Sequence, residues 1–295
     1  MRSAENVPVT RAREAFLWAC GLDVTVRKPG NVSVDAPGHG MVAQQFIASA
    51  QAVADVLFAP GRRLGERVEA AVSATHEAVA CNTNLGIVLL CAPLGLAAER
   101  ECCADAAALQ QAVEQVLDTL DIEDARAAYR AIARAHPAGL GHVAEQDVAA
   151  APTIDLRTAM ALAADRDLIA RQYANGFADV FAFGLPTLCR ELSNEDLALS
   201  AVVQRLYVRV LARYPDSHIC RKYDMATAED VRAEATRWCA RLEANPAAGG
   251  GQAFSEWDES LKRRGLNPGT TADMTVTCLF AAALLEPRLC TIRRA

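Results

Sequence analysis

Aromatic residues are scarce: 8 Phe, 3 Trp and 5 Tyr in 295 residues. β-branched runs are also short, which argues against a sandwich or barrel built from such residues. No segment reaches the ~18 uninterrupted apolar residues that a membrane span needs. The N-terminus carries Arg2, Glu5, Arg11, Arg13 and Glu14 and lacks the apolar core of a signal peptide. Basic stripes are missing too, and the net charge is -6. That excludes a non-specific nucleic-acid binder, although a cleft can focus positive potential against the net charge. The 10 cysteines form no CxxC pair and keep no regular spacing, and vicinal Cys102-Cys103 is a poor zinc site. Cys20, Cys81, Cys91, Cys239 and Cys278 sit among apolar helix residues and read as reduced, buried thiols. A soluble, cytoplasmic protein is expected.

What the chain has in plenty is Ala and Leu, the strongest helix formers. The expectation is an all-α protein, one compact multi-helix catalytic domain over residues 1–295 with a flexible stretch at 1–10. Apolar periodicity predicts helices over 11–25, 42–58, 64–80, 85–98, 106–117 and 123–135. The helix at 85–98 is apolar all round, so it belongs at the centre, with Pro93 expected to kink it. Further helices are expected over 155–173 and 194–214. Another is expected to start at a capping box made by Thr227 and Asp230 and to end near 244. Gly249-Gly250-Gly251 reads as a flexible hinge, and a last helix opens after Pro268. The stretch 136–152, with Gly139 and Gly141, is the longest irregular one and a candidate lid.

Four polar clusters interrupt this helical background. They are Lys28-Pro29-Gly30-Asn31, Asn82-Thr83-Asn84-Leu85-Gly86, Asp216 with Arg221-Lys222, and Asn267-Pro268-Gly269-Thr270-Thr271-Ala272-Asp273. Each has a plain structural reading: a helix stop, an N-cap, a surface ion pair and a first-turn acid. Each also suits anion binding, because helix starts expose free N–H groups. Together they are read as converging on one pocket for a phosphate-rich substrate. Lys28, Gly30, Asn31, Asn82, Thr83, Asn84, Gly86, Arg221, Lys222, Asn267, Gly269 and Thr270 would bind substrate or phosphate. Asp216 and Asp273 are the candidate catalytic residues and metal ligands, with their roles left open between them.

Other polar features are read as structural. No histidine, His39, His76 and His142 included, pairs with a Ser or Cys as a nucleophile would require. Asp165 and Asp167 straddle Arg166 on a helix and do not share a face. Asp118, Asp121 and Asp124 are spaced by three and read as a solvated acidic stripe.

In this order, the clusters resemble the triphosphoribosyl-dephospho-CoA synthase family over roughly residues 11–285. Lys28-Pro29-Gly30 matches its lysine-proline-glycine motif, and Asn267 through Asp273 is similar to its C-terminal serine-proline-glycine-glycine-serine-alanine-aspartate motif. Asn84-Leu85 replaces the family's histidine-lysine, and Tyr223-Asp224 replaces a glycine pair, which marks a divergent branch of the kind associated with one-carbon cofactor biosynthesis. The resemblance implies a pentosyltransferase that uses ATP with Mg²⁺. It implies attachment of the triphosphoribosyl group to a ribose hydroxyl of dephospho-CoA, or of a related acceptor, with release of adenine. The competing readings are a Mg²⁺-dependent enzyme of methanopterin or methylofuran biosynthesis with another acceptor, an all-α nucleotide hydrolase, and a non-catalytic binding protein. Apolar, alanine-rich helices also permit a homodimer.

Overall fold

The computed structural model describes residues 7–101, 103–137 and 146–291, and among them it contains fourteen α-helices and no strand. The centre is a pair of helices, α4 (Leu85–Arg100) and α14 (Gly269–Leu285). Every residue from Leu85 to Ala97 of α4 is buried, and so is every residue from Thr270 to Leu284 of α14 except Asp273. Neither sequence has a polar face, so neither helix has a stable place at the surface. α4 continues through Pro93.

The other helices form a sleeve around that pair. α1 (Val7–Thr25), α2 (Ala43–Leu57) and α3 (Leu64–Val79) cover one side. Phe16, Phe58 and Phe280 cluster there with ring centroids 5.5–6.3 Å apart. α5 (Ala106–Asp118) packs on α4, and α6 (Ile122–Ala135) packs on α3. α10 (Leu199–Arg213) turns Leu206 and Val210 to the main core, and Tyr207, Val208 and Leu211 to a second apolar cluster. That cluster is shared with α12 (Met225–Ala244) and α13 (Gln252–Arg263), where Trp238 stacks on Trp257. No helix among the described residues is long and apolar enough to cross a membrane.

Several expected elements differ, some of them because a polar side chain found a backbone partner. The first helix begins at Val7, inside the stretch read as flexible. The helix expected over 155–173 is two: α7 (Leu156–Ala161) and α8 (Leu168–Asn175). Asp155 and Asp167 each cap one, Asp167 accepting from the N–H groups of Ile169 and Ala170. The helix expected over 194–214 starts only at Leu199, and a π-helical turn, Val180–Gly184, leads into α9 (Leu185–Leu192) before it. α12 is capped by Asp224, three residues ahead of Thr227. The glycine triplet is no hinge: Pro246–Gly250 is a 3₁₀ turn, with Gly249 buried against Gln204. Asp124 leaves the acidic stripe for the interior, where it accepts from Gly65 N and pairs with Arg63. Cys81 and Cys239 are only half-buried. Gly139, Gly141, His142 and Cys102 lie outside the described residues, as do residues 138–145 of the candidate lid.

One buried clip holds the loop after α1. Asp258 of α13, 1% exposed, accepts from Gly30 N at 2.8 Å and pairs with Lys262 Nζ at 2.9 Å, and Lys262 also donates to Ala36 O. Gly30 has φ +81°, and a Cβ there would lie 2.7 Å from Pro268 Cδ, so only glycine fits. Asp258→Ala would leave a buried N–H and an ammonium without their acceptor. A loss of ~3 kcal/mol is expected, read as a lower urea midpoint at unchanged m, with a smaller loss for Asp258→Asn, which keeps an oxygen.

Candidate active site

The starts of α4, α11 (Ser217–Lys222) and α14 and the end of α1 meet around a small polar cavity of about 130 Å³. All four sequence clusters contribute to its wall. Asn31 comes from the first, Asn82, Thr83, Asn84 and Gly86 from the second, and Arg221 from the third. Asn267, Gly269, Thr270 and Asp273 come from the fourth. Asp23 and His218, which the sequence did not single out, also line it.

The asparagines are held by local bonds that leave one end free. Asn82 Oδ1 accepts from Leu85 N at 3.1 Å and so starts α4. Thr75 Oγ1 donates to Asn84 Oδ1 at 2.9 Å, and the Asn84 amide nitrogen is buried with no partner. Asn31 donates to Asn267 Oδ1 at 3.0 Å, and the Asn31 oxygen is likewise orphaned. Thr83 donates to Ser49 Oγ at 2.7 Å. A buried amide without its partner costs free energy, and here two of them edge one cavity.

Asp273 sits one turn into α14, against Gly86 of α4. A Cβ on residue 86 would lie 2.1 Å from Asp273 Oδ2 and 2.8 Å from Ile169 Cδ1. The glycine is therefore the space that the carboxylate occupies. Burial pushes the Asp273 carboxyl well above the ordinary carboxylate range, and the charges of Asp23 and Asp216 push it further, while Arg221 opposes. Burial also lowers the His218 pKa to about 4, helped by Arg221 and Lys222, so its ring is neutral at pH 7.

Four sequence candidates stand behind the wall. Asp216 is 1% exposed, and its oxygens accept from Ile219 N at 3.1 Å and from Thr271 N and Oγ1 at 2.8 Å. It caps α11 and ties down the first turn of α14. Lys28, fully buried, reaches Asp23 through its backbone oxygen and, at 3.1 Å, its carboxylate. Gly30 packs on Pro268, and Lys222 faces Tyr223 and Gly265 O at the surface. Arg221 is thus the only cationic side chain among the described residues of the wall. It pairs with Asp167, and its Nε is buried without a partner.

No three His, Cys, Asp or Glu side chains among the described residues are grouped to cage a metal. The donor set, carboxylates of Asp23 and Asp273 beside amide oxygens, still fits Mg²⁺, which takes one or two carboxylates and completes its shell with phosphate oxygens and water. Asp23 escaped the sequence reading because it looks like an ordinary polar position on α1. An acid flanked by Leu22 and Val24 on a buried face was its one signal.

Residues 9–291 match the model of the CitG family, ATP:dephospho-CoA triphosphoribosyl transferase. The fold is similar to the crystal structure of a proposed triphosphoribosyl-dephospho-CoA synthase from Archaeoglobus fulgidus. That likeness has TM-score 0.61 and 23% identity, and covers 82% of this chain and 98% of the other. No curated protein is significantly similar in sequence.

The raised Asp273 pKa has a consequence for stability. The folded state holds that proton more tightly than the unfolded chain does, so the stability it contributes is complete below the unfolded pKa and is lost as pH rises through the folded one. Asp273→Asn should therefore melt higher than wild type in Mg²⁺-free buffer at pH 8. The gap should close on acidification below the ordinary aspartate range. Scanning calorimetry across pH would show it, and an unchanged gap at low pH would refute the assignment.

Proposed function

The chain belongs to the ATP:dephospho-CoA triphosphoribosyl transferase family, and from that premise we propose that its polar cavity is where the triphosphoribosyl group of ATP passes to an acceptor hydroxyl, with Mg²⁺ and with release of adenine. Dephospho-CoA is the acceptor that the family's activity names. The observation that carries this reading is the Asp273 carboxylate lodged against Gly86 in a wall of amides, hydroxyls and one arginine.

The chemistry is substitution at an anomeric carbon. The acceptor oxygen bonds to C1′, the C1′–N9 bond breaks, and its electron pair leaves with adenine. Positive charge builds on the ribose, and Asp23 and Asp273 are positioned to stabilise it, as carboxylates do in glycoside cleavage. Asp273 takes the hydroxyl proton: its raised pKa makes it a stronger base than an ordinary aspartate. Adenine gains a proton from solvent and Asp273 returns one to solvent, so none is consumed overall. Asp23, held by Lys28, is the carboxylate for Mg²⁺. When bound, Mg²⁺ supplies charge neutralisation for the triphosphate. Arg221 keeps donors beyond its bond to Asp167 and grips phosphate with them. Asn31, Asn82, Thr83, Asn84, Asn267 and Thr270 orient the ribose and phosphates, with Gly269 leaving the start of α14 open. Asp216, Lys28, Gly30 and Lys222 act from behind, by positioning the wall. Neutral His218 can donate to or accept from a sugar hydroxyl.

The test is incubation with ATP and Mg²⁺, with and without dephospho-CoA, reading adenine by chromatography and the acceptor by mass. Adenine with a triphosphoribosyl mass gain is expected. Adenine without the gain would mean hydrolysis, and no adenine would remove the transferase reading. Asp273→Asn should lower kcat by roughly 10²–10⁴-fold, the span of a lost general base. Asp23→Asn should act mainly on the Mg²⁺ concentration that supports half-maximal rate. The wild-type kcat should rise with pH through an ionisation above the ordinary carboxylate range and then level, since His218 stays neutral throughout.

A further inference from the structure

A second, larger cavity of about 300 Å³ adjoins the polar one, and Leu85, Pro137, Ile169 and Arg221 line both. Its wall is chiefly apolar, with Leu89, Ile132, Met160, Leu162 and Ala163 facing it. Most of the polar groups present have hydrogen-bond partners. Tyr129 donates to Gln146 O at 2.9 Å, and Asp147 accepts from Ala149 N at 2.8 Å. Asp167 accepts from Ile169 N, Ala170 N and Arg221, and Arg166 donates to Leu162 O. Apart from Arg166 and Arg221, no described side chain of the wall offers an anion a counter-charge, so the apolar part of the chamber suits an uncharged, flat or aliphatic moiety.

The transfer has two ring-bearing participants, the departing base and the acceptor. An acceptor needs only to bring its hydroxyl to a carboxylate. The geometry provides that: Ile169 Cδ1 and Asp273 Oδ2 press on the same point at Gly86, so Asp273 stands at the seam between the cavities.

We propose that the apolar cavity is the acceptor subsite, and that it takes an uncharged ring-bearing head, such as a neutral nucleoside, whose hydroxyl reaches Asp273 past Leu85 and Ile169. This rests on the transferase reading above. In the transfer, the acceptor O–H proton goes to Asp273 as the oxygen bonds to C1′ and adenine departs. A diphosphate carried by the acceptor lies outside this chamber.

Calorimetric titration of adenosine into the full chain tests it. The donor side is first saturated with Mg²⁺ and a carbocyclic ATP analogue whose base cannot leave. Adenosine should still bind, and its Kd should rise at least about tenfold in Ala163→Phe, which fills the chamber, and in Leu85→Lys, which puts a charge at the seam. Melting curves would verify that both variants fold. Two variants guard against one of them failing to do so. Displacement of adenosine by the donor analogue would make this the base site of ATP and overturn the proposal. Absence of adenosine binding, or equal affinity in folded variants, would also overturn it. Adenine release is scored separately: binding as expected without adenine release would support the subsite and defeat the transferase reading.

Discussion

The close approach of α4 to α14 at Gly86 and Asp273 is the constraint from which the site follows. Both helices are apolar on all sides and are driven to the centre by burial. Centrally packed helices normally carry no carboxylate. Here Asp273 is carried in by the first turns of α14, and a missing Cβ on α4 makes its room. Everything else at the site then concerns how α14 begins. Asp216 holds Thr271, Pro268 rests on Gly30, and Asn267 bonds to Asn31. Those contacts tie α11 and the loop after α1 to one helix start.

The electrostatics of the wall support the proposal that a cation enters with the substrate. Asp23 and Asp273 face the cavity against a single arginine that already serves Asp167. A bare triphosphate entering such a space would meet more negative charge than positive. With a divalent ion between carboxylates and phosphates, the same arrangement becomes attractive. Lys28 does not face the phosphates. It is buried beneath Asp23 and pairs with that carboxylate at the wall.

The helical class and most helix positions were legible because alanine and leucine periodicity is a local property, and so was the convergence of four polar clusters that exceed what caps require. What stayed hidden is tertiary. Asp167 caps α8, and nothing in Asp165-Arg166-Asp167 says which of the two acids will do so. Asp216, Asp224 and Asp273 are all acids near helix starts. Only packing distinguishes the anchor of two helices from a surface cap and from a carboxylate at the cavity. Asp23 and the apolar chamber had no motif, since a chamber is made of ordinary leucines, isoleucines and alanines brought together from α4, α6, α7 and α8.

Such a site stores instability in the unliganded chain. A carboxylate under desolvation and repulsion, with amide groups of Asn31 and Asn84 unpaired, weakens the folded state. The core formed by α4 and α14 offsets that cost, which is a physical reason for placing the site at the most buried helix pair and not on a peripheral one. Ligand binding then returns the lost interactions: the orphaned amides gain partners and the carboxylates gain a counter-charge. Because those gains exist only in the folded state, the proposed Mg²⁺ and nucleotide would be coupled to folding by mass action. On the proposed reading, groups left unsatisfied beside an apolar chamber also favour the transition state over either substrate alone, since its developing ribose charge is what the carboxylates of Asp23 and Asp273 would meet.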